Sequence, residues 1–127
     1  MPIDIEKLNI EFLTLPENEQ IQIQNKWECL YDTPYINFLL KKYNMYHSRV
    51  MRMKSKYCYT WHEDPHMRRH IPIITNPGAF MVIEEKVIRM PVGGVYTVDT
   101  KKPHTAVNAW REERVHIVGT ILDNEQI

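Results

Sequence analysis

From about residue 48 onward the chain is a series of eight short runs, rich in β-branched and aromatic residues and each closed by turn formers. The runs cover 48–54, 57–62, 69–75, 79–84, 87–91, 94–99, 104–109 and 114–122. No helical stretch separates them, which argues against a parallel βαβ sheet, and a sandwich or jelly-roll barrel is expected. The punctuation has a mechanism. Asn76-Pro77-Gly78 suits a type II turn, with proline fixing φ and glycine accepting a positive φ. Glu84-Glu85-Lys86 reads as a tight hairpin connection, and Gly93-Gly94 and the stretch 99–103 break the next two runs.

The first 45 residues read differently, as helical. Pro16 opens a candidate helix whose Glu17 and Glu19 suit the positive end of a helix dipole. Ile21, Ile23, Trp27 and Leu30 supply an imperfect apolar stripe, and a second helix is expected from Pro34 through Phe38, Leu39 and Leu40. At 127 residues the expectation is a single domain. It divides into a helical segment, 1–45, and a β core, 46–122.

Composition narrows the function classes. Sixteen basic residues balance sixteen acidic ones, which argues against a broadly basic nucleic-acid binder. A hydrophobic share of 43% argues against disorder. Apolar runs are far shorter than the roughly 20 residues of a membrane span, and Met1-Pro2-Ile3-Asp4 lacks the flanks of a secretory signal. Cys29 and Cys58 form no paired motif. A soluble, cytoplasmic protein of a reducing compartment, without membrane partners, is expected. Charge is uneven: residues 1–32 hold seven acids against two lysines, and residues 41–57 hold six bases and no acid. Alternation would place Arg52, Lys54 and Lys56 on one strand face, although a solvated surface is the simpler account.

Strand alternation also sorts the polar residues. His62 and Asp64 share a face, as do Arg68 and His70, and His104, Ala106 and Asn108. In the last run Arg114, His116 and Val118 fall on one side and Val115, Ile117 and Gly119 on the other. Four strands thus bring His, Arg or Asp toward one interior, where polarity is costly without a partner or ligand.

His62-Glu63-Asp64 is an H-x-D pattern, weak alone, but His104 lies 42 positions downstream in a different strand. Two imidazoles and a carboxylate can occupy one face of an octahedral Fe(II), leaving sites for co-substrate and O2. Arg114 follows His104 by ten positions. Its fixed charge and paired donors suit the distal end of a dicarboxylic acid chelated to such a metal. The bland account makes His62 and Asp64 a surface pair, His104 a turn histidine, and Arg114 the partner of Glu112 or Glu113. The four together, in this order, favour the metal. His47 and His66 have no comparable partner and read as exposed, while His116 is either a core histidine or a cavity residue.

Residues 48–120 resemble the aspartyl/asparaginyl β-hydroxylase family of Fe(II)- and 2-oxoglutarate-dependent oxygenases, which includes free-proline hydroxylases. The matching segments are Ser48-Arg49-Val50, His62-Glu63-Asp64, Arg68-Arg69-His70-Ile71-Pro72-Ile73, Gly94-Val95-Tyr96-Thr97-Val98-Asp99-Thr100, His104-Thr105-Ala106-Val107-Asn108 and Arg114-Val115-His116-Ile117-Val118. The resemblance implies a double-stranded β-helix (jelly roll, cupin-like), with His62, Asp64 and His104 as iron ligands and Arg114 as the 2-oxoglutarate anchor. It places Arg68 and His70 in or near the co-substrate pocket. His116 stands where many 2-oxoglutarate oxygenases carry serine, two residues after the anchoring arginine. The implied reaction hydroxylates a C–H bond of an amino acid, peptide side chain or other small substrate, releasing succinate and CO2. Two other readings stay open: a cupin-type metalloenzyme that does not use 2-oxoglutarate, and a non-catalytic binding module using the basic segment 41–57.

Overall fold

In a computed structural model, residues 2–122 of the chain are described. The chain begins with helix α1 (Ile5–Phe12), then strands β1 (Gln20–Gln22), β2 (Gln24–Asn25) and β3 (Glu28–Cys29), and helix α2 (Pro34–Lys42). It continues through β4 (Tyr46–Met53), β5 (Tyr57–Cys58), β6 (Arg68–Ile74), β7 (Ala79–Ile83), β8 (Lys86–Ile88), β9 (Tyr96–Val98), β10 (His104–Asn108) and β11 (Arg114–Thr120). Each of the eight runs read from the sequence carries one of the strands β4 to β11.

The strands form an antiparallel jelly roll. One sheet has the order β1-β4-β11-β6-β9, a second the order β5-β10-β7-β8, and β2 and β3 make a small ribbon. Alternation decides what each face meets. In β6, Arg68, His70 and Pro72 share the inner side, while Ile71 and Ile73 join the apolar layer beneath the helices. Pro72 lacks an N–H for the ladder, and the β6–β11 register shifts beside it, between Val115 and His116.

The helices cover the outer face of the five-stranded sheet. Leu8 and Phe12, one turn apart on α1, and Ile36, Leu39 and Leu40 on α2 pack with Val50, Ile71, Val115 and Ile117. Complete burial of an aliphatic side chain of this size is worth about 1.5–3 kcal/mol. The side chain of Asp4 caps α1 by accepting the Lys7 N–H at 3.1 Å. Proline stands first in α2, and Thr33 makes no side-chain cap there. Instead the Glu11 carboxylate accepts the Tyr35 and Ile36 N–H groups, both at 2.8 Å, so one helix caps the next.

Three expectations are corrected. The helix expected from Pro16 does not form, because Ile21 and Ile23 are buried at a period of two and β1 pairs with β4. Trp27 and Leu30, the rest of that stripe, are exposed. The turn after Asn76 is closed by the Ala79 N–H on the Asn76 carbonyl at 3.2 Å, but Gly78 does not adopt a positive φ. Glycine is needed there for space, since a Cβ would lie 2.8 Å from the Trp110 nitrogen. The basic stripe is not a strand face either. β4 ends at Met53, Arg52 pairs with Glu113 at 2.8 Å over the Phe12 ring, and Lys54 lies against Tyr57. No described helix is long and apolar enough to cross a membrane.

Candidate metal centre

β10 brings His104 to the inner face of the smaller sheet, where it pairs with Ile83 of β7. His62 lies opposite His104 in an isolated antiparallel bridge, with both backbone hydrogen bonds made, at 3.1 and 3.0 Å. Two residues later the Asp64 N–H donates to the Thr100 carbonyl at 2.8 Å, which fixes the turn carrying the carboxylate. The backbone therefore holds all three side chains at one point, although 42 positions separate the histidines.

The result is a compact donor set. One ligand atom from each of His62, Asp64 and His104 lies within 4.8 Å of the others. His104 Nε2 is 3.3 Å from one Asp64 oxygen, and His62 Nε2 is 4.0 Å from the other. Each imidazole has its remaining nitrogen engaged: His62 Nδ1 is 2.7 Å from the Thr60 carbonyl and His104 Nδ1 is 2.8 Å from the Lys102 carbonyl. A carbonyl can only accept, so both Nδ1 atoms carry a proton, and it is the Nε2 atoms that face Asp64. That is the orientation in which two imidazoles can hold a metal, set by backbone carbonyls. Arg68 Nε forms an ion pair with Asp64 Oδ2 at 3.4 Å, without a hydrogen bond.

One cavity joins this cluster to the barrel interior. Arg68, His70 and Arg114 line it together with the three donors, and Met51, Met81, Ala106 and Val118 form its apolar walls. Arg114 is 4% exposed and Arg52 takes Glu113, so the rim ion pair weighed from the sequence does not form. Its Nε has no hydrogen-bond partner among the described residues. Burial draws its pKa below the ordinary value, with Tyr59 acting in the opposite direction, but an ordinary value this high leaves arginine charged at neutral pH. The Nε atoms of Arg52 and Arg68 are likewise without a hydrogen bond, but only Arg68 and Arg114 of the three line this cavity.

His70 and His116 meet behind Arg114. Their Nδ1 atoms are 3.0 Å apart and their rings are edge to face, with centroids at 5.2 Å. Burial, and then the charges of Arg114, Arg68 and His104, lower the His70 pKa to about 3. Burial, Arg114 and His70 hold His116 well below the imidazole range. Both rings are neutral at physiological pH. His116 lines a smaller cavity that shares Arg114 and Met81 with the first. His47 and His66 are exposed.

Tyr59 also lines the cavity of the metal cluster, and strict alternation misses it. Tyr57 and Cys58 pair with Asn108 and Val107, but it is His62, not Trp61, that stands opposite His104. One extra residue is accommodated between Cys58 and His62, which flips the parity of the segment. Tyr59, whose N–H reaches the Ala106 carbonyl at 3.0 Å, and His62 therefore both face inward although they are three apart. Burial raises the Tyr59 pKa, the nearby Arg114 charge opposes this, and the phenol stays protonated.

Residues 12–123 match the family model described as aspartyl/asparaginyl beta-hydroxylase. Over 95 residues the chain is 25% identical to L-proline cis-4-hydroxylase of Rhizobium meliloti (strain 1021). The match covers 67% of this chain and 34% of that protein, so the chain spans about a third of its curated relative. A cupin-2 domain protein from Shewanella frigidimarina NCIMB 400 superimposes with a TM-score of 0.53 at 13% identity, over 89% of this chain and 91% of that one. A predicted oxalate decarboxylase from Thermotoga maritima gives 0.53 at 12%, over 84% and 94%. At such identities the likeness concerns the fold, a cupin-type jelly roll.

Proposed function

This chain belongs to the aspartyl/asparaginyl β-hydroxylase family, and from that premise we propose that it is an Fe(II)- and 2-oxoglutarate-dependent oxygenase. Its substrate is an amino acid, a peptide side chain or another small molecule carrying a reactive C–H bond. The observation that carries the reading is the pairing of two unlike features in one cavity. A two-histidine, one-carboxylate cluster stands at the mouth, and a buried arginine with an unused Nε lies further in.

In this reading His62 Nε2, His104 Nε2 and an Asp64 oxygen hold the iron, and Arg114 takes the distal carboxylate of 2-oxoglutarate. The donor set fits the metal: two imidazoles with their Nε2 atoms turned toward one carboxylate are the ligand types of a non-haem iron site with open positions. Bound iron and 2-oxoglutarate supply the oxidising chemistry, in which O2 is consumed, succinate and CO2 are released and a substrate C–H is hydroxylated. The chain supplies position and dryness. The Thr60 and Lys102 carbonyls orient the two imidazoles, Arg68 balances the charge of Asp64, and Met51, Met81 and Val118 form an apolar wall.

Succinate release tests the proposal, screened across free amino acids and candidate peptides with Fe(II), O2 and 2-oxoglutarate supplied. The expected result is release stimulated by at least one of them. Under anaerobic conditions, Fe(II) plus 2-oxoglutarate should give a weak visible charge-transfer band. Its absence, or turnover that ignores 2-oxoglutarate, would instead favour a cupin-type metalloenzyme. Salt-sensitive binding of an anionic partner with no succinate would favour a binding module.

A further inference from the structure

The metal cavity lies inside the barrel, and the helices on its outer side carry a different feature. Among the described residues ten large hydrophobic side chains are exposed, and six of them, Ile5, Ile10, Leu13, Trp27, Leu30 and Phe38, stand in the first 40 positions. A helix that only covers a sheet needs one apolar face, directed inward. On α2 that face is made by Ile36, Leu39 and Leu40, so Phe38, 55% exposed, is surplus to the core. Exposed apolar side chains that cluster mark an interaction surface.

Phe38 forms a ridge with a hollow on either flank. By the 3.6-residue turn of a helix, Pro34, Asn37 and Lys41 lie to one side of it and Tyr35, Leu39 and Lys42 to the other. The first flank opens on a hollow of about 530 Å3 that Trp27 also lines. The second opens on hollows of about 410 and 290 Å3, lined in turn by Ile10 and Tyr43. Each far exceeds the roughly 30 Å3 that one water occupies, so a side chain can enter. Such a surface is complementary to itself: a two-fold axis beside Phe38 lets each ridge enter a flank of the other copy.

Charge fixes the direction of pairing. Asp32, exposed just before α2, and Lys42, exposed at its last turn, stand at opposite ends of the helix with opposite signs. No ion pair among the described residues engages either of them or Lys41. A parallel pairing would set like charges together, whereas the antiparallel pairing of a two-fold sets Asp32 of each copy beside Lys42 of the partner subunit. Lys42 already lies over the Phe38 ring, 6.0 Å from its centroid, so its ammonium stands where the ridge meets the rim. An apolar centre with a charged rim is the anatomy of a protein interface.

We propose that the outer face of α2, centred on Phe38, is the interface of a homodimer in which two copies pair antiparallel about a two-fold axis, with reciprocal Asp32–Lys42 ion pairs at the rim. The metal cavity lies on the other side of the five-stranded sheet, so the dimer stands or falls independently of the oxygenase reading.

Sedimentation of the intact chain across micromolar concentrations tests it. The parent should form a concentration-dependent dimer. Phe38→Asp should weaken association about a hundredfold or more and leave the far-ultraviolet circular dichroism unchanged, because this side chain is outside the core. Asp32→Lys and Lys42→Asp should each weaken it about fivefold or more, and the double variant, which exchanges the two signs, should return to within about threefold of the parent. Should Phe38→Asp fail to fold, the charge exchange tests the same contact alone. A parent that stays monomeric at every concentration overturns the inference and leaves this face to a different partner. A dimer indifferent to Phe38→Asp, or a double variant weaker than either single one, overturns it as well.

Discussion

On its outer side β11 presents Val115 and Ile117, both 0% exposed, to the helices, and on its inner side it presents Arg114 and His116, 4% and 3% exposed, to the cavity. Burial is nearly equal on the two sides, and its energetic meaning is opposite. Val115 and Ile117 gain from leaving water and make the helix–sheet core. Arg114 and His116 lose solvation, and Arg114 Nε recovers no hydrogen bond from the described residues. Depth of burial is thus no guide to a residue's part in stability. What counts is whether the buried group finds its complement within the chain or awaits it from outside.

The contrast breaks most sharply at the metal cluster. Asp64→Ala should reduce iron affinity and bring succinate release below about a thousandth of the parent, with little change in the thermal midpoint. Iron titration checks this, and unchanged affinity would show that Asp64 is not a ligand. On the outer face, Ile117→Ala should cost about 2–5 kcal/mol in urea unfolding while the folded fraction keeps its 2-oxoglutarate requirement.

Arg114→Leu sharpens the comparison by separating binding from stability. It should raise the 2-oxoglutarate requirement about a hundredfold and leave unfolding free energy unchanged or raised, because a buried cation without an ion-pair partner among the described residues is removed. A loss of stability as large as that of Ile117→Ala would show that Arg114 is structural.

The last prediction concerns pH. The folded pKa of His70 is near 3 and that of His116 is also depressed, so between about 6.5 and those values the unfolded chain binds more protons. This contribution is fully present above about pH 6.5 and is lost as pH falls, by up to about 1.4 kcal/mol per pH unit for each ring. Urea unfolding of the metal-free protein across this range should show the slope. Ile117→Val, which costs about 0.5–1.5 kcal/mol, should shift the curve without altering it.

Much of this was legible in the residues. The eight strand runs were visible because their punctuation is local: proline, glycine and charged pairs end a strand whatever lies across from it. The spacing of His62, Asp64 and His104 marked a candidate site because those residue types rarely share an interior without cause. The segment 16–30 was misread, since Ile21 and Ile23 suit either period and only the partner strand β4 decides between them. Tyr59 was missed because an extra residue between Cys58 and His62 reverses the inward face. Gly78 was given a dihedral reason when its actual reason is the nearness of Trp110.

The sequence by itself determined what depends on neighbours along the chain: where strands start and stop, which polar residues alternate toward a common side, and the helix opened by Pro34. Tertiary structure alone decided which side of β11 was inward, that Arg52 rather than Arg114 takes Glu113, and that His70 meets His116. These are relations between residues tens of positions apart. They follow from strand register and from bulges that shift it by one residue, and a shift of one exchanges the two faces of a strand.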